Sequence, residues 1–278
     1  MKKVIVIGEN SYIGKSFEAY SNDRFGIKMV GSRDGKWETM DFAGFDSVLF
    51  CAGIAHMAQD SKVEALSFAV NCDLAVDAAN KAKKEKVSQF IYLSSMSVYG
   101  GGETEIDGAT TPNPGSVYGR SKLKAEQELQ KLDDDSFRLC FVRPPMVYGK
   151  GCKGNFPKLV KLAKRTPIFP DYPNKRSMIY IDNLCEFLCG LIKNESSGIF
   201  LPQNSEYVNT VELVRYVANL ANKRIITTRL CNPIIPLLLK HISIMGKLLG
   251  DLTYVRAGDE NSYNVVAFEE SIERSMSM

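Results

Sequence analysis

Two residues in the stretch "SVYGRSKLKAEQEL" (Ser116–Leu129) could share acid–base chemistry. Tyr118 and Lys122 lie four residues apart, so a helix holding both puts them one turn apart on one face. A fixed ammonium beside a phenol loosens its proton. A surface pair at the head of an amphipathic helix has the same spacing, so the pair alone leaves both readings open. A second stretch, "VIVIGENSYIG", places a strand before Gly8 and a helix after Ser11. Gly8 would allow a tight turn, and Gly14 a close approach of helix and strand. The first-turn amides around Ser11, Tyr12 and Ile13 would hold a pyrophosphate. Ser11 stands where the usual fingerprint has its middle glycine; its hydroxyl could cap the helix or touch a phosphate. The residue that selects the cofactor should follow about 20 positions later, which lands on Ser32, Arg33 and Asp34. Arg33 favours a 2′-phosphate, hence NADP(H) over NAD(H), and Ser32 could add a hydrogen bond. Asp34 keeps the ribose 2′-hydroxyl reading open.

The elements that would position these residues follow from apolar patterning. Strands are expected at Lys3–Gly8, Ile27–Ser32, Ser47–Gly53, Gln89–Ser95 and Phe137–Pro144, with a long helix from about Lys62 to Lys84. Continuous β-rich runs separated by helices imply an α/β fold: a Rossmann-type, doubly wound parallel sheet. Residues 1–150 read as the dinucleotide-binding domain. Residues 151–278 read mainly as a smaller substrate lobe, interleaved with the last strands of the main sheet. There the best strand signals are "SMIYID" and "GIFLPQ", and helices are expected at Phe156–Lys164, Asn183–Lys193 and Thr210–Ala221, the last capped by Thr210.

Composition narrows the partners. With 45% hydrophobic and 24% charged residues, the 278-residue chain has the make-up of a soluble globular protein. Its net charge of +3 is too weak and dispersed for a nucleic-acid footprint. The seven cysteines are odd in number and mostly sit in apolar segments, which reads as reduced thiols of a cytoplasmic protein. Cys185 and Cys189 share a helix face without a further ligand, so no metal site is expected. "PIIPLLLKHISIMGKLLG" (Pro233–Gly250) is too short and polar to span a bilayer; it reads as a half-buried helix or a greasy surface element.

"GENSYIG", "CAGIAH", "YLSSMSVYG", "YGRSK" and "VRPPMVYGKG" together resemble the extended short-chain dehydrogenase/reductases. Among these the chain resembles the NAD-dependent epimerase/dehydratase family that acts on nucleotide sugars, and "RSMIYIDNL" extends the likeness through nearly the whole chain. Departures are Ser11, the Ser-Arg end of the second strand and a short C-terminal region. The resemblance implies that Tyr118 is the catalytic acid/base, that Lys122 supports it and binds the nicotinamide ribose, and that Ser95 hydrogen-bonds the reacting oxygen. It places Cys51, Ala52 and Gly53 beside the cofactor, Pro144 against the nicotinamide amide, and Asp41 at the adenine unless it merely caps a loop. Ser97, Tyr99, Asn155 and Arg176 become substrate contacts, Arg176 at the diphosphate; Tyr99 could equally pack. Arg143 and Asn71 read as architecture, His56 as a structural or solvated loop residue, and Asp182 as a helix cap. The implied activity is hydride movement at carbon 4 of a nucleoside-diphosphate sugar, UDP-linked, for surface-polysaccharide precursors, by a 4-keto reductase or 4-epimerase. A 4,6-dehydratase would need an acidic pair where Met96 and Ser97 stand. A nucleotide-sensing regulator without catalysis is the alternative, and a homodimer is a further expectation.

Overall fold

The computed structural model describes all residues except 34, 56–60, 231, 242 and 278, so Asp34, His56 and Cys231 lie outside the described residues. In its first half, strands β1 (Lys3–Ile7), β2 (Gly26–Val30), β3 (Ser47–Phe50) and β4 (Gln89–Leu93) alternate with helices. The helices are α1 (Tyr12–Ser21), α2 (Lys36–Thr39), α3 (Ser61–Phe68) and α4 (Leu74–Lys84). After the two-residue strand β5 (Glu105–Ile106) come α5 (Val117–Gln130) and β6 (Arg138–Val142). The second half holds β7 (Met146–Tyr148), α6 (Asn155–Arg165), β8 (Ile168–Pro170), β9 (Met178–Tyr180), α7 (Ile181–Lys193) and β10 (Gly198–Phe200). It continues with α8 (Thr210–Leu220), β11 (Ile226–Thr228), α9 (Ile235–His241), α10 (Ser243–Leu249), β12 (Thr253–Tyr254) and α11 (Phe268–Met276).

Six strands form one parallel sheet in the order β10-β6-β4-β3-β1-β2. Its central strands are apolar after their first residue because both faces are covered. Successive residues point to opposite faces, so Val4, Val6, Leu49, Ile91 and Val142 enter the core shared with α1 and α7. Ile5, Ile7, Val48, Phe50, Phe90, Tyr92 and Phe141 enter the core on the other side. There Ala75, Ala78, Ala79 and Ala82 give α4 a small-residue stripe that lies close against the sheet. The order in which successive strands are laid down reverses between β1 and β3, the switch point at whose carboxyl edge such sheets bind ligands.

The expected strands all form, and each ends one to three residues short of its apolar run, because the chain leaves the ladder to build the crevice. The expected long helix is continuous from Ser61 to Lys84 but carries a π-turn at Ala69–Asp73. Asn209, not Thr210, caps α8, accepting hydrogen bonds from the Val211 and Glu212 amides. Thr210 instead donates to the Leu248 carbonyl and ties α8 to the end of α10. Asp182 does not cap α7 with its side chain; it sits in the first turn and pairs with Arg274 at 3.5 Å. Pro233–Gly250 holds two short helices rather than one, and no helix among the described residues is long and apolar enough to cross a membrane.

Candidate active site

The end of β1 forms one wall. Gly8 has φ +120, and a Cβ there would lie 2.8 Å from the Ala52 nitrogen, so only glycine lets this turn pass β3. Ser11 caps α1 by accepting from the Gly14 amide at 2.9 Å, so its hydroxyl does take the capping role. A Cβ on Gly14 would meet Ser11 Oγ at 2.7 Å and the Gly8 carbonyl at 2.9 Å, which explains that glycine. The Tyr12 and Ile13 amides stand in the first helical turn, where backbone N–H groups have no intrahelical acceptor. The Gly8 and Glu9 amides both bond the Val30 carbonyl, bringing the end of β2 against this turn. Ser32 follows half-buried and Arg33 exposed. Asp41 is exposed and accepts from the Ala43 amide, closing its own loop. A glycine turn and a helix N-terminus after the first strand fit the pyrophosphate of a dinucleotide.

The opposite wall is carried by β4 and α5. Ser95, two residues past β4, starts a turn in which its hydroxyl accepts from the Ser97 amide and donates to Ser97 Oγ, both at 3.1 Å. Ser116 caps α5 through the Gly119 amide. The helix thereby begins with Tyr118 in its first turn, and the half-buried Tyr118 is hydrogen-bonded to Ser95. Lys122, one turn on, is 3% exposed and donates to the Leu93 carbonyl at 2.7 Å. Its ammonium lies 4.5 Å from the Tyr92 ring centre and 6.0 Å from that of Tyr118. Tyr118, Lys122 and Ser95 therefore meet at the carboxyl end of β4.

The electrostatics differ from the simple picture of an ammonium acidifying a phenol. Burial pushes Tyr118 up to about 12, opposed by its hydrogen bond with Ser95. Burial brings Lys122 down to about 8, while Cys51 and Glu126 favour its charge. The resting site thus holds a protonated phenol above a weakened ammonium. Cys51 is pushed up to about 12 by burial, so its thiol is inert; Lys122 and a hydrogen bond with Ser11 oppose that rise. Gly53 is exposed, and a Cβ on it would lie 3.3 Å from Lys122 Nζ and 3.1 Å from Asn71 Oδ1. Ala52 is buried beside Gly8, and the Pro144 carbonyl accepts from the Met96 amide within the serine turn.

Two groups invisible in the spacing hold this arrangement. A Cβ on Gly119 would lie 2.4 Å from the Ser97 carbonyl, so glycine lets α5 dock on the serine turn. The only hint was a glycine in the first turn of a helix, where propensity disfavours it. Asn71, in the π-turn, bonds Ile54 through both backbone groups and donates to Ser121 at 2.9 Å. Its freed carbonyl accepts from Tyr92 at 2.6 Å. The π-turn thus clamps the loop after β3 to α5.

The substrate side departs further from expectation. Tyr99 is 2% exposed and cannot line a sugar pocket; its hydroxyl accepts from Arg143 at 2.6 Å. Arg143 is architectural, bonded to the buried carboxylate of Glu126 through Nε and Nη2. Arg176 is half-buried, and its Nη1 is committed to the Gly250 carbonyl at 2.8 Å, at the end of α10. Its Nε is buried with no hydrogen-bond partner, so only part of the guanidinium remains to meet a diphosphate. Asn155 begins α6 and is exposed. Lys158, Lys161 and Lys164 form the solvated face of that helix.

A doubly wound parallel sheet with a glycine turn after its first strand defines a Rossmann-type protein. Over residues 31–201 the chain matches the NAD dependent epimerase/dehydratase family, and it belongs to that family of NAD(P)-dependent nucleotide-sugar epimerases and reductases. It is 34% identical over 186 residues to the UDP-glucose 4-epimerase of Vibrio cholerae, covering 62% of this chain and 56% of that relative. The match therefore spans little more than half of that relative's length. It is 26% identical over 253 residues to the N-acetyl-alpha-D-glucosaminyl-diphospho-ditrans,octacis-undecaprenol 4-epimerase of Escherichia coli O157:H7, covering 83% and 76% of the two chains. The fold matches that of dTDP-4-dehydrorhamnose reductase from Bacillus anthracis in complex with NADP (TM-score 0.74, 18% identity, 99% of each chain). It also matches UDP-glucuronic acid 4-epimerase from Bacillus cereus in complex with NAD (TM-score 0.73, 16% identity, 98% and 97%).

Proposed function

We propose that this protein moves hydride at carbon 4 of a sugar carried on a nucleoside diphosphate, UDP in the first instance, as a 4-keto reductase or 4-epimerase. The observation that carries the reading is the meeting of Tyr118, Ser95 and Lys122 at the carboxyl end of β4. A bound nicotinamide would supply or accept the hydride; the Gly8 turn, the start of α1, Gly53, Pro144 and Lys122 would hold the dinucleotide. Ser95 would orient the sugar oxygen by a hydrogen bond. Tyr118 would give its proton to that oxygen in reduction and take one back in oxidation. Lys122, fixed by the Leu93 carbonyl, would steady the phenolate by its charge.

The reductase direction has the better support. Arg33, exposed beyond β2, favours NADP(H) over NAD(H). Ser97 and Asn155 would contact the sugar or its phosphates, and the free face of Arg176 the diphosphate. Asp41 would stand at the adenine edge. The domain reading remains a dinucleotide domain at 1–150 and a substrate lobe at 151–278, working in the cytoplasm as a homodimer. The deciding experiment supplies the purified protein with UDP-4-keto sugars plus NADPH, and separately with UDP-sugars plus NAD. Reduction at carbon 4, or inversion there, is expected. No turnover in either arm, with nucleotide still bound, would favour the non-catalytic regulator.

A further inference from the structure

Among the described residues, several aliphatic side chains around α9 are left exposed. Leu230 is 87% exposed, Ile234 55% and Leu237 60%, while Ile235 beside them is buried at 1%. Leu237 lies on α9, and Leu230, Ile234 and the exposed Pro233 lie in the turn that leads into it. Further exposed aliphatics stand on β11, just before that turn, and on β8, which pairs with β11. Ile226 and Ile168 are register partners of β11 and β8, and both are more than half exposed, at 66% and 55%. Single exposed aliphatics are ordinary; a group of them is an interaction surface.

Charge selects the partner. From Asn222 to Gly250 the sequence carries Lys223, Arg224, Arg229, Lys240 and Lys247 and neither Asp nor Glu. Lys223, Arg224 and Arg229 are exposed beside these aliphatics. The nearby acid Asp171 is shared by two cations, Arg229 at 3.1 Å and Arg215 at 3.5 Å, so it leaves a positive excess. Aliphatics flanked by cations suit the boundary between acyl chains and anionic headgroups.

We propose that the α9–α10 segment seats the protein on an anionic lipid bilayer, with Leu230, Ile234 and Leu237 entering the headgroup–acyl boundary. The partner is the lipid surface itself. The segment is also tied to the candidate site, because Arg176 bonds the Gly250 carbonyl at the end of α10. This inference stands apart from the catalytic reading, since it is read without turnover.

The test is co-sedimentation of the full chain with phosphatidylglycerol-containing vesicles and with pure phosphatidylcholine vesicles. Binding to the anionic vesicles is expected, weakened about fivefold or more by high salt and absent on phosphatidylcholine. Leu230→Glu with Leu237→Glu should abolish it, and the milder Leu230→Ser with Leu237→Ser should weaken it, with thermal melting unchanged in the serine pair. No sedimentation with anionic vesicles would overturn the proposal, as would equal binding by the glutamate pair. A dimer of the parent chain that the serine pair dissociates, without vesicle binding, would assign these aliphatics to a second copy instead.

Discussion

Lys122 gives the sharpest test at the scale of a residue. The unfolded chain holds that proton up to its ordinary value of 10.5, whereas the folded chain holds it only up to about 8. Between these values the unfolded state binds more protons, so raising the pH favours the folded state. The burden is full below about pH 8 and gone above about 10.5, and amounts to at most roughly 3 kcal/mol. Denaturant titrations of the cofactor-free protein and of Lys122→Met should therefore converge or cross as pH rises through that window. A stability difference constant with pH would contradict the buried, weakened ammonium. Arg33→Ala should weaken NADPH binding roughly tenfold and leave NADH nearly unchanged, as loss of a charge-assisted bond to phosphate requires. Equal effects on both cofactors would remove the NADP preference. At this scale the sequence was legible where spacing alone sets geometry: Tyr118 and Lys122 share a helix face because they are four apart. It was opaque for Tyr99 and Arg176, whose polar groups are claimed by Arg143 and by the Gly250 carbonyl, both distant in the chain.

At the scale of elements, α5 is held in place by what it lacks. Gly119→Ala would drive a methyl into the Ser97 carbonyl and lift the head of the helix from the serine turn. Turnover should fall at least tenfold, and dinucleotide binding should fall less, because the Gly8 turn lies on another strand. Rates and affinities measured on the same preparation would check this; equal losses in both would mean the helix does not position Tyr118. The π-turn has a similar role, since it presents Asn71 to Ile54 on one side and Ser121 on the other. No periodicity betrays such a turn, because one extra residue in a helix leaves the apolar pattern almost intact. The cap of α8 lies one position before Thr210 for a related reason: Asn209 and Thr210 are both capping types, and the tie from Thr210 to Leu248 decides between them.

For the whole molecule, the parallel sheet was readable because its central strands are buried on both faces and are apolar after their first residue. After β6 the helices α6, α7 and α8 and the strands β9 and β10 form where the sequence predicts them; β7, β8, β11 and β12 were not legible, since they run two or three residues and gain their order from distant partners such as β8 with β11. A buried ion pair in the first half is also where the second half attaches. Arg143 and Glu126 are each 5% exposed, and the Arg143 carbonyl accepts from Tyr254 near the chain's end. Glu126→Ala would strand a guanidinium in the core and should cost about 3–5 kcal/mol, seen as an earlier denaturation midpoint. A midpoint within error of the parent would show that Arg143 finds another partner. The central claim is that one phenol shuttles the proton while hydride moves, and the most direct measurement is single-turnover nicotinamide absorbance in Tyr118→Phe with cofactor and sugar nucleotide saturating. The account predicts normal cofactor affinity with hydride transfer slowed by about a hundredfold or more. Transfer at the parent rate would contradict it.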